Sequence, residues 1–160
     1  MTVLLPIAVV ALMLGGPPTP ARFPARPVWH VGHGRVHACP GMPRSRCTSV
    51  TSWAATVRWR DCSECLPHKT VESLPRDGIA IQVSFARTKS PGWVKPMRWP
   101  PRLRTMGGPF EGLPNRIGVV QLIGRLNGYE AYLWVFFGRP QPSARQVARA
   151  RAELRAARLP

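Results

Sequence analysis

The stretch IGVVQLIGRLNGYEAYLWVFFG, residues 117–138, carries Asn127-Gly128 between two β-rich runs. Asn-Gly is the strongest short hairpin signal, because a type I′ turn needs positive φ at both central residues. A two-residue turn also fixes the register. Leu126 then faces Tyr129, Gly124 faces Ala131, Leu122 faces Leu133 and Val120 faces Val135. That face is apolar throughout. On the other face Arg125 meets Glu130, Ile123 meets Tyr132, Gln121 meets Trp134 and Val119 meets Phe136. The second face is charged near the turn, where opposite charges pair favourably across strands. It is aromatic farther away, and that end needs a cover.

The segment SARQVARARAELRAARL at the C-terminus supplies an expected cover. Ser143 and Gln146 have capping-box spacing, Pro142 marks the entry, and Val147, Ala150, Leu154 and Ala157 fall on one helical stripe. Arg149 and Glu153 stand at i,i+4 and are expected to pair. Two further strands are expected: GIAIQVSF (78–85), alternating through Ile79, Ile81, Val83 and Phe85, and SWAATVRWR (52–60), alternating through Trp53, Ala55, Val57 and Trp59. HKTVESLP between them is a short helix or turn ended by Pro75. The expected fold is a small α+β domain, an antiparallel or mixed sheet with a C-terminal hairpin and the C-terminal helix packed on it. Residues 89–115 are broken repeatedly by Pro and Gly and form a long loop within the domain.

The 160 residues suffice for one domain with a core. Residues 3–14, VLLPIAVVALML, match a signal-peptide h-region and fall short of the roughly 20 residues of a membrane span. Thr19 and Ala21 suit the −3 and −1 positions of a cleavage site. No Lys or Arg precedes the run, so residues 1–21 are read as a signal peptide or an N-terminal anchor. Repeated prolines mark a linker in GGPPTPARFPARP (15–27). The domain is therefore set at 31–160, with 22–30 as linker. The expected location is secreted or extracytoplasmic, with 3–14 as the anchor if it is retained.

The net charge is +16, nearly all of it from arginines scattered between Arg22 and Arg158. Scattered arginine rich in Ala and Pro company is what a GC-rich coding sequence produces. No finger, RNP or recognition-helix pattern accompanies it, which disfavours nucleic acid. A cell-envelope component or other anionic surface is the partner class that net charge alone supports. TVRWRDC, LPHKTVESLPRDGIAIQV and FFGRPQPSARQVARARAELRAARL resemble segments of small, exported, uncharacterised actinobacterial proteins. The resemblance covers about the last two thirds of the chain. It implies export and a GC-rich origin, and it brings no catalytic residue.

Four cysteines, Cys39, Cys47, Cys62 and Cys65, form an even set suited to disulfides in an exported domain. Cys39 with Cys47 and Cys62 with Cys65 is the favoured pairing of three. Two competing readings use the same region. A thiol–disulfide oxidoreductase would use Cys62-Ser-Glu-Cys65, with Arg58, Arg60 and His68 stabilising a thiolate. Asp61 and Glu64 oppose that, and no long helix follows. A metal-binding protein would use His30, His33, His37 and Cys39, soft and imidazole donors at short spacing. No GxSxG, HExxH or phosphate-cradling glycine loop occurs, the carboxylates are few and distant, and no cofactor is implied. The leading expectation is an exported, non-enzymatic binding module with structural disulfides and an unknown ligand. Its expected surface joins Trp93, Trp99, Tyr132 and Trp134, residue types that give rigid contact area.

Overall fold

The structure is a computed structural model that describes residues 18–36, 49–62, 66–87, 94–106, 110 and 112–160. In chain order the elements are β1 (His30–Val36), β2 (Ser49–Ala55), α1 (His68–Glu72), β3 (Ile79–Arg87), β4 (Gly118–Leu126), β5 (Tyr129–Phe137) and α2 (Ala144–Ala156). The five strands form one sheet in the order β1-β2-β3-β5-β4, and every neighbouring pair is antiparallel. The fold is α+β with strands dominant.

The β4–β5 hairpin has the register that the Asn127-Gly128 turn dictates, from Leu126 opposite Tyr129 to Val119 opposite Phe136. Asn127 has φ 50° and Gly128 φ 83°. Both central residues therefore sit in the left-handed region a type I′ turn demands. β3 lies at the centre of the sheet, and Ile79, Ile81, Val83 and Phe85 have no exposed surface. Burying each such side chain contributes about 1.5–3 kcal/mol. β2 starts earlier and stops earlier than its alternation suggested. Thr56 ends the ladder: its amide donates to the Ile79 carbonyl (2.9 Å), and its hydroxyl accepts from the Ile79 amide (2.9 Å).

Each face of the sheet has its own core. On one face Ala150, Leu154 and Ala157 of the α2 region pack with Val120, Leu133, Val135, Ile81 and Val83. On the other, Val71 and Leu74 at α1 pack with Ala55, Ala80, Val119 and Phe136, joined by Leu113 and Ile117. The helix therefore covers the wholly apolar hairpin face and leaves the aromatic end to α1, Phe110, Leu113 and Ile117. This corrects the expectation that α2 would cover that end. The apolar face buries more side chain against a narrow alanine-rich helix, and α1 is near enough in sequence to β3 to close the other.

Two segments read as irregular are integral to the domain. Ala21 and Phe23, 1% and 8% exposed, belong to the α2-side core. Arg22 exchanges both backbone hydrogen bonds with Arg158 (2.8 and 2.9 Å), and the Ser52 hydroxyl donates to the Ala21 carbonyl (2.7 Å). The stretch expected as a linker over 22–30 is thus packed against the fold from its first residues, and packing starts upstream of residue 31. Residues 95–106 of the long loop run along β4. Met97 and Lys95 bond Arg125, and Met106 bonds the Val119 carbonyl (2.7 Å). Trp99 and Leu103 pack on the α2 side, while Phe110 and Leu113 pack on the α1 side.

Candidate functional site

The loop's path separates the residues of the expected aromatic surface. Trp99 packs on the α2-side core, and its indole N–H donates to the Leu154 carbonyl (2.8 Å). Trp134 packs on the α1-side core, edge-on to Phe110 (5.3 Å between centroids) and parallel to Phe136 (6.0 Å). Tyr132 is half-buried near Trp134, and its hydroxyl bonds the Glu130 carboxylate. Burial, then the charge and hydrogen bond of Glu130, hold the Tyr132 pKa above its ordinary value. Trp93 lies outside the described residues. Trp99 and the Tyr132–Trp134 pair therefore occupy opposite faces of the sheet and form no common surface.

Of the cysteines, Cys39, Cys47 and Cys65 lie outside the described residues. Cys62 is exposed and disulfide-bonded. Beside it, the Asp61 carboxylate accepts from the backbone amides of Lys69 (3.1 Å) and Thr70 (2.8 Å) and from the Thr70 hydroxyl (2.6 Å). The first amides of α1 are thus occupied by a carboxylate. A five-residue helix so capped has little left to lower the pKa of a neighbouring thiol.

His37 and Cys39 of the expected metal set also lie outside the described residues. His30 pairs with Ala55 and His33 with Ser52 across β1–β2. Alternation in an extended strand sends these two side chains to opposite faces, so they do not converge on one ion. Among the described residues no group of three or more His, Cys, Asp or Glu is placed to hold a metal.

A cleft of about 670 Å³ opens at one end of the sheet, lined by Arg76, Arg116, Gly138, Arg139, Pro140 and Gln141. Strand register explains the convergence. Ile79, Phe137 and Gly118 lie side by side across β3, β5 and β4. Arg76 comes three residues before Ile79, Arg116 two before Gly118, and Arg139 two after Phe137. Three separate turns thereby bring an arginine to the same end of the sheet.

The base of the cleft is braced. The Pro75 carbonyl accepts from Gly78 N–H (2.8 Å), closing the Arg76-Asp77 turn. The Gln146 amide of α2 donates to the Arg76 carbonyl (3.2 Å). Gly138 N–H donates to the Gly78 carbonyl (3.0 Å), and a Cβ at Gly138 would stand 1.8 Å from the Pro75 oxygen. Arg116 is held by its own bonds: Nη1 donates to the Leu74 carbonyl (3.0 Å) and Nη2 to the Glu72 carbonyl. Among the described residues the guanidinium groups of Arg76 and Arg139 make no hydrogen bond or ion pair, and no carboxylate lines the cleft. Guanidinium stays charged at every physiological pH. Among the described lining residues there is no nucleophile and no general base. Such an arrangement can hold an anion.

Little in the sequence points to this cleft, since three arginines at successive separations of 40 and 23 positions look like any others in a chain with 23 Lys and Arg residues. No family model matches the chain, and no curated protein or solved structure matches it.

Proposed function

We propose that the protein is an exported, non-enzymatic binding module, stabilised by disulfides, whose ligand presents negative charge to the Arg76–Arg116–Arg139 cleft. The observation that carries the reading is that three arginines, from three separate turns, line one 670 Å³ space with no acid among its described lining residues. A space of that size is in the range of small-ligand sites. The +16 charge of the whole chain adds long-range attraction for an anionic partner, such as a cell-envelope component. Export rests on the apolar run at 3–14 and the small residues after it. The oxidoreductase and metal readings lack comparable support, given the carboxylate that occupies the start of α1 and the divergence of His30 and His33.

The test compares binding of anionic and neutral glycans to the native protein, to Arg76→Gln/Arg139→Gln, and to a charge-matched control, Arg151→Gln/Arg155→Gln, on the exposed side of α2. Losing two charged hydrogen-bond donors at a specific site weakens binding by about tenfold or more. The reading expects that loss in the cleft variant and near-native affinity in the control. Equal weakening in both variants means that net charge alone attracts the ligand, and the cleft is then no site.

A further inference from the structure

Resting on that reading, we infer that the cleft takes a phosphomonoester, a small molecule or chain end that carries a terminal phosphate. Arg76 and Arg139 present guanidinium groups with no partner among the described residues, while Arg116 is pinned by two backbone carbonyls. A carboxylate is one planar fork and is satisfied by one arginine. A phosphomonoester carries close to two charges at neutral pH and three terminal oxygens, so it can face two or three guanidinium groups together.

A phosphodiester matches less well. It carries one charge and is attached to chain on both sides. Beside the cleft, Gly138 lies against the Pro75 carbonyl and leaves no room there for even a methyl group. A chain threading through would need an open groove with cations repeating along it. Here the three arginines line one volume.

The rest of the cleft says something about what the phosphate is attached to. Its volume of about 670 Å³ exceeds the needs of an inorganic ion. Pro140 and the Gly138 backbone offer an apolar wall, and the Gln141 amide offers a donor and an acceptor to a hydroxyl. A hydroxylated carrier of modest size fits that mixture. Pinning of Arg116 reduces the side-chain ordering that binding would otherwise have to pay.

The experiment uses the full chain and four probes: phenyl phosphate, methyl phenyl phosphate, benzoate and dextran sulfate. Affinities are measured by calorimetry for the native protein and for Arg76→Gln/Arg139→Gln, whose folding is checked by thermal melting. Arg116 is left intact, because it also ties the end of α1. Phenyl phosphate is expected to bind at least tenfold more tightly than the diester or benzoate. Its affinity should fall as the pH drops from 8 to about 5, through the second phosphate ionisation, and should be lost in the variant. Benzoate, the diester or dextran sulfate matching phenyl phosphate, with binding still dependent on Arg76 and Arg139, would overturn the phosphomonoester and leave the anion-binding reading standing. Failure of all four to bind in an arginine-dependent way would overturn both.

Discussion

Glu153 departs from the ordinary behaviour of a helix carboxylate. It stands on α2 at i+3 from Ala150, in the buried stripe, and is 1% exposed. Its Oε1 is buried without a hydrogen-bond partner. The i,i+4 pair with Arg149 expected from spacing is not among the ion pairs of the described residues. Burial raises the Glu153 pKa, and the charge of Arg26 offsets this only in part. A carboxyl whose folded pKa is raised contributes stability below its unfolded pKa and loses it as the pH rises through the folded value. The stability that Glu153 contributes should therefore be present near pH 4 and decline between the ordinary carboxyl range and the raised value. Glu153→Gln keeps the shape without the charge. Thermal melting of both proteins from pH 4 to 8 should give curves that coincide at acid pH, with the variant more stable at neutral pH. A variant less stable at neutral pH would show that the charged form is the one the fold accommodates.

At the scale of elements, termini and turns are fixed by chemistry a few residues long. Ser143 and Gln146 form the capping box that starts α2: the Gln146 amide donates to the Ser143 hydroxyl (3.2 Å), and the Ser143 amide donates to the Gln146 side chain (3.0 Å). That pattern was legible in the sequence because cap and partner are three residues apart. The cap of α1 was not. Its start is preceded by Pro67, with no capping side chain of its own, and Asp61 reaches in from seven residues upstream of His68. At the sequence level Asp61 had only the meaning of a charge next to Cys62. Asp61→Ala removes three hydrogen bonds, two of them part-buried and one exposed, and should cost about 1–3 kcal/mol, measured by denaturant unfolding under non-reducing conditions. A loss well under that range would mean that the disulfide at Cys62, and not the carboxylate, holds this corner.

On the scale of the whole molecule, the two ends of the described chain are joined. Arg22 and Arg158 bond backbone to backbone, Ala21 and Phe23 fill the core beside α2, and the Asn127 side chain donates to the Pro160 carbonyl (3.0 Å). A cut after Ala21, at the site suggested by Thr19 and Ala21, would remove a core residue and the acceptor of the Ser52 hydroxyl. A chain beginning at Arg22 should therefore melt several degrees below one beginning at Pro18, since about 1–2 kcal/mol shifts the midpoint of a domain this size by that much. Identical melting temperatures would show that residues 18–21 are dispensable and that the cut can fall there.

The sequence by itself determined what depends on near neighbours. The hairpin register followed from Asn127-Gly128, the central strand from the alternation of Ile79 to Phe85, and the start of α2 from Ser143 and Gln146. In each case the interacting groups are separated by a few residues, or by a turn that leaves no freedom. Only the tertiary structure decided which sheet face α2 would cover, since both hairpin faces carry apolar residues. It also decided that Trp99 and Trp134 would lie on opposite faces, with Trp99 and Leu103 in the α2-side core and Phe110 and Leu113 beside Trp134 in the other. The same is true of the arginine cleft. Arg76, Arg116 and Arg139 meet because β3, β5 and β4 are neighbours with Ile79, Phe137 and Gly118 in register. Strand order is set by long-range packing, and no local signal in the chain encodes it.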